Sequence, residues 1–147
     1  MRRRRDERGT ALVEVTWLSI LLLVPLLYVV LSVFEVQRSA FAVNAATRAA
    51  GRAYTLAPTE GEGTQRARAA ADVAMRDQGL DLARRSMALG CEPSPRDCLS
   101  PGSVIRVRMI FPVRLPLMPD ALGGNTPSVR VTSDHTVPYG SFREDRP

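Results

Sequence analysis

Lysine is missing from this 147-residue chain, and all 20 basic residues are arginine. P-loop lysines, Schiff-base lysines and Ser-Lys dyads are therefore excluded together. Histidine occurs once, at His135, and cysteine twice, at Cys91 and Cys98. That stock cannot build a multi-histidine metal site, so no metal and no cofactor is expected. Aromatic residues make up only 5% of the chain, which leaves few rings to stack on bases. The length itself allows one domain plus a membrane segment and excludes a large enzyme with a separate cofactor domain.

What is present is unevenly spread. Met1–Arg8 holds five arginines against Asp6 and Glu7, which accounts for most of the net charge of +5. The remaining 15 arginines face 13 acids, so the basicity is a terminal tag and not a groove lining. An arginine run can bind nucleic acid, but this one abuts an apolar stretch and lacks aromatic partners, so no nucleic acid is expected. The mean hydropathy of −0.07 conceals a similar asymmetry, because the apolar residues gather near the N-terminus.

Val15–Phe34, VTWLSILLLVPLLYVVLSVF, is a run of 20 residues without a formal charge. As a helix it covers about 30 Å, the thickness of a bilayer's hydrocarbon core. A soluble core helix would show polar positions at helical spacing, and here only Thr16, Ser19 and Ser32 interrupt the run. The run reads as a transmembrane span, residues 15–34. The arginine cluster before it predicts a cytoplasmic N-terminus and an extracytoplasmic C-terminal part. Pro25 removes a backbone donor in mid-span and predicts a kink. Ala40-Phe41-Ala42 fits an A-x-A signal-peptidase site, but the apolar run is longer than an h-region and Glu35 and Arg38 intervene.

Glu14 lies in the apolar context ALVEVTWL. A charge at the centre of a membrane helix costs about 2.5–3.5 kcal/mol, and less towards an end. Two readings follow: Glu14 snorkels to the headgroups, or it has a cationic partner. Cleavage after Gly9 would create that partner, since the new amine of Thr10 would lie four residues, one helical turn, before Glu14. A basic leader ending in glycine, RRRRDERG, then TALVEVTWLSILLLVPLL with glutamate at the fifth position, resembles the class III signal of type IV pilins.

The closer resemblance is to the TadE-like pseudopilins of the Tad (Flp) pilus system. Arg8-Gly9-Thr10-Ala11-Leu12-Val13-Glu14 is similar to that family's R-G-x-A-L-V-E start. Asn44-Ala45-Ala46-Thr47-Arg48-Ala49-Ala50-Gly51-Arg52-Ala53 resembles its N-x-A-x-x-A-A-R-x-G-A-R region in looser form. The likeness covers about the first 55 residues, with Val15 standing where an aromatic commonly follows the glutamate. It implies processing between Gly9 and Thr10 by a prepilin peptidase, and a Glu14 that sets the helix's register against neighbouring pilus subunits. The physical logic agrees, because an unpaired charge in hydrocarbon is costly and pairing geometry fixes register.

Helical signals continue beyond the span. Alanine recurs at 40, 42, 45, 46, 49, 50 and 53, while Asn44, Arg48 and Arg52 form a polar stripe. One long helix is predicted from about Ala11 to Leu56, ending before Pro58. Its small-residue face suits either bundling with other subunits or packing on the chain's own domain. Ala57–Gly63 reads as a loop. Thr64 is a candidate N-cap for a second helix, Gln65–Gln78, stopped by Gly79. Its thin apolar face of Ala67, Ala70, Val73 and Ala74 is expected to lie on a sheet.

Three segments predict that sheet: Arg85–Gly90, Ser103–Leu115 and Ser128–Val137. In the second, Ile105, Val107, Met109 and Phe111 alternate with Arg106 and Arg108. Pro112 predicts an edge position or a break. Leu115–Ser128 reads as a proline- and glycine-rich loop with exposed apolar residues, able to touch partners or headgroups. Tyr139–Pro147 reads as a frayed tail. Cys91 and Cys98 flank a polar turn outside the cytoplasm and are expected to form a disulfide. His135 beside Asp134 has no nucleophile in a recognisable motif, and a surface histidine is expected.

The fold class is therefore α+β: a long kinked N-terminal transmembrane helix continuing outside the membrane, a second helix and about three antiparallel strands. The organisation is a basic leader at 1–9, the long helix at 10–57 and a small extracytoplasmic domain at 58–147. The function expected is a minor pseudopilin and not an enzyme, with a prepilin peptidase, other pilus subunits and the lipid bilayer as partners. The alternative is an unprocessed single-span membrane protein whose outer domain binds an envelope component.

Overall fold

The computed structural model describes residues 8–80, 85–115 and 128–146, with side chains from residue 11 onward. Two helices are followed by three strands: α1 (Arg8–Thr55), α2 (Glu60–Arg76), β1 (Ser86–Glu92), β2 (Val104–Arg114) and β3 (Ser128–Pro138). The strands form one antiparallel sheet in the order β1-β2-β3. The chain is α+β, with a single long helix as the element on which everything else is mounted.

α1 runs unbroken through Pro25 for 48 residues. Along its second half the buried positions Ala42, Ala46 and Ala50 recur every four residues, beside Val43, Thr47 and Tyr54. Small side chains bring the helix axis close to what packs on it. At Gly51 the approach is closest: a Cβ there would stand 2.7 Å from Val137 Cγ2 and 3.6 Å from Val107 Cγ2. Ala42, Ala46 and Ala50 therefore pack on the chain's own domain, while Ala45 stays exposed.

The sheet meets α1 through one face. Ile105, Val107, Met109, Phe111 and Val113 of β2 are all buried, with Val131 of β3 packed against them. The alternation that marked β2 in the sequence is the face that packs. Pro112 lies in the central strand, not an edge strand, but β1 ends opposite Ile110. Beyond that point β2 is paired with β3 alone among the described residues, so a missing N–H is tolerated there.

α2 departs from expectation in three ways. It begins at Glu60 and not Gln65, because Thr59 caps it by accepting from the Glu62 amide at 3.3 Å. Thr59 and Glu62 stand at capping-box spacing, and Glu60 and Glu62 put negative charge at the positive end of the helix. Its buried face is Gly63, Ala67, Ala71 and Met75, whereas Val73 is 57% exposed. That face lies mainly on α1 and not on the sheet. Gly63 makes the docking possible, since a Cβ there would meet Tyr54 Cδ2 at 3.1 Å. Gly79 ends the helix as expected, in the left-handed conformation at φ +69°.

Tyr139–Arg146 is not frayed. Tyr139 is buried, its hydroxyl donating to the Glu144 carbonyl at 2.9 Å. Arg143 donates to the Thr55 carbonyl at 2.7 Å and Arg146 to the Ala57 carbonyl at 3.1 Å. The Arg143 guanidinium thus covers the negative end of α1, where cations are favoured, and Arg146 ties down the turn that follows it. The Arg143 guanidinium also stands 5.2 Å from the Tyr139 ring centroid.

Candidate functional site

The first half of α1 stands apart from the rest of the molecule. From Ala11 to Leu27 every side chain is exposed, and the most apolar 18-residue window of the helix has mean hydropathy 2.5 with none of it buried. A core helix of similar composition would be covered by protein. α1 is therefore a candidate membrane span by length, composition and exposure. The serine and threonine hydroxyls within it are satisfied locally. Thr16 donates to the Leu12 carbonyl at 2.8 Å, Ser19 to Val15 at 2.7 Å and Ser32 to Tyr28 at 2.8 Å. A helix in lipid must satisfy its polar groups in this way, with no water to do it.

Glu14 has no such partner among the described residues. It is exposed among Leu12, Val13, Val15 and Trp17, each more than 60% exposed. Among the described residues it has no ion pair. Gly9 and Thr10 belong to the first turns of α1, while residues 1–7 of the leader lie outside the described residues. Helical geometry places the Thr10 backbone nitrogen about 6 Å along the axis from Glu14. A free amine at Thr10 would be cationic at neutral pH, within reach of the carboxylate of its own chain or of a neighbour.

Beyond the candidate span, the C-terminal domain is clamped where the sequence predicted. Cys91 and Cys98 form a disulfide, Cα–Cα 5.3 Å, closing the turn between β1 and β2. A ring of this size stabilises by about 2.5 kcal/mol in the chain-entropy model. The Cys98 amide donates to the Glu60 carboxylate, so the clamped turn is tied to the start of α2. Beside that junction Tyr54 is 3% exposed. Burial first, and the Glu60 charge second, push its phenol up to about 12.

His135 does not lie on the outer surface. It is half-buried on the sheet face towards α1, where a Gly51 Cβ would be 3.5 Å from its Cδ2. Its neighbour Asp134 points the other way and pairs with Arg108 at 2.6 Å. The two therefore cannot act as a dyad. Ser133, on the α1 side, donates to Asn44 Oδ1 at 2.7 Å and latches β3 to the helix. Among the described residues no cluster of three or more His, Cys, Asp or Glu could hold a metal ion. The apolar loop expected at Leu115–Ser128 falls on residues 116–127, which lie outside the described residues. No family model, curated protein or solved structure matches this chain.

Proposed function

We propose that this chain is a TadE-like minor pseudopilin: a single-span membrane subunit, cut after Gly9 by a prepilin peptidase and used in assembling a Tad-type pilus. In this reading the leader faces the cytoplasm and the disulfide-clamped domain lies outside. The observation that carries the proposal is Glu14, a carboxylate exposed on an apolar helix without a cationic partner among the described residues. It stands one turn beyond the Gly9–Thr10 bond. Cutting that bond supplies the missing charge at the place where the helix needs it. In hydrocarbon the pair is far stronger than in water, so it would fix the axial position of one subunit against the next. A domain of some 90 residues outside the span suits an accessory subunit better than a short major pilin.

Mass spectrometry of protein extracted from the native membrane tests the proposal. The expected N-terminus is Thr10, and a bulky replacement of Gly9 should leave the leader attached. A mature chain still beginning at Met1 or Arg2 would replace the pseudopilin reading with that of an unprocessed single-span protein.

A further inference from the structure

The membrane-proximal end of the sheet meets the helix lower than the apolar run ends. The run extends to Phe34, yet Tyr28, Val29, Ser32, Val33, Val36 and Gln37 already form one wall of a groove. Leu115 and Val129, at the end of the β2–β3 pair, form the other wall. Tyr28 lies six residues before Phe34, about 9 Å deeper along the axis. Phe34, Val33 and Val29 remain 64%, 49% and 55% exposed, so the helix cannot be raised out of lipid to clear the sheet. If α1 crosses a bilayer, the sheet's end is immersed in the boundary between headgroups and acyl chains.

Two features there point to what fills the groove. Its volume is about 330 Å³ and its exposed lining is entirely apolar. The Tyr28 hydroxyl, in the same wall, is buried without a hydrogen-bond partner among the described residues. The charges on the sheet's outer face are also sorted along the strands. Far from the membrane, Arg106 pairs with Glu92 at 3.3 Å and Arg108 with Asp134 at 2.6 Å. At the membrane end, Arg114 lies opposite Ser128 and Arg130 opposite Pro112. Both arginines are exposed and neither has an acid across the strand.

We infer that this end of the sheet is a docking surface for an anionic phospholipid, with an acyl chain in the groove and the phosphate attracted by Arg114 and Arg130. The inference rests on α1 crossing a bilayer and not on processing at Gly9, so the two proposals fail separately. Arginine at a membrane surface contributes about fivefold to the preference for anionic lipid.

The test uses the full-length protein in nanodiscs of mixed phosphatidylcholine and phosphatidylglycerol, with the retained lipid counted by native mass spectrometry after detergent extraction. Phosphatidylglycerol is expected to be retained preferentially, and Arg114→Gln with Arg130→Gln should lower that preference about 25-fold. Arg106→Gln with Arg108→Gln, about 20 Å further along the strand, should change it less than about twofold, because that separation exceeds the screening length. Val129→Trp fills the groove and should reduce retention of both lipids while the melting temperature holds. A preference unchanged in the Arg114/Arg130 variant assigns it to the leader arginines and overturns the headgroup site. Retention unchanged in Val129→Trp overturns the groove.

Discussion

The two halves of α1 are one continuous helix built for different surroundings. Its first half, to Leu27, is apolar and uncovered, and its hydroxyls bond back to their own carbonyls four residues earlier. Its second half is rich in alanine, wrapped by α2 and the sheet, and latched by side chains from far along the sequence. The large apolar residues stand where nothing in the described structure covers them, and the small ones where backbones must approach. The difference between the halves is the difference between an uncovered apolar rod and a spine that carries a domain.

The largest effect should come from breaking the first half alone. Leu22→Arg places a charge at mid-span and should cost about 3 kcal/mol of insertion, moving the protein out of the membrane fraction. The C-terminal domain should keep its fold, as its melting transition would report, while Cys91 and Cys98, no longer exported, stay reduced and open to alkylation. Breaking the second half should do the reverse. Gly51→Leu drives a side chain into Val137 and Val107, and overpacking of this kind costs about 1–3 kcal/mol. Better helix propensity returns under about 1 kcal/mol of that. The expected result is a lower melting temperature for the C-terminal domain with membrane insertion unchanged.

The smallest effect sharpens the comparison through pH. Tyr54 sits where α1 meets α2, and its phenol is raised from an ordinary value of about 10 to about 12. The folded state therefore holds this proton more tightly than the unfolded state does. The resulting stability is intact below about pH 10 and is lost as the pH rises towards about 12. Unfolding of the exterior domain followed across that window should show the decline, and Tyr54→Phe should flatten it. Equal slopes in both proteins would remove Tyr54 as the cause.

How much of this was legible in the sequence follows the same division. The long apolar helix, β2, β3 and the disulfide were readable because each depends on a local pattern: an uncharged run, an alternation, or a short spacing between cysteines. The start of α2 was misread because Gly61 and Gly63 look like a loop, although Thr59 and Glu62 already carried the capping signal. Its buried face was misplaced for a related reason. Gly63 is a contact residue, and it aligns Ala67, Ala71 and Met75 at intervals of four. That α2 lies on α1 was not readable, since alanine faces do not name their partners.

The C-terminal segment was missed because its anchors are remote. Arg143 and Thr55 are 88 residues apart, and nothing local to Tyr139–Pro147 announces the carbonyls at the end of α1. His135 was read as a surface residue, and its half-burial was not visible because one side of β3 packs on the helix through Ser133 and His135, positions too polar to signal burial. At the candidate site, the spacing of Gly9, Thr10 and Glu14 was visible from the start. What the structure added is that no described side chain of the same protein neutralises Glu14.

That absence makes Glu14 the place to test the account. Glu14→Gln keeps the size of the side chain, removes its charge and leaves the Gly9–Thr10 bond untouched. The measurement is co-isolation of the processed variant with the other pilin-like subunits of its host membrane. The account predicts a chain that inserts and is cut to Thr10 but no longer co-isolates. Cutting and co-isolation indistinguishable from the unaltered protein would contradict it.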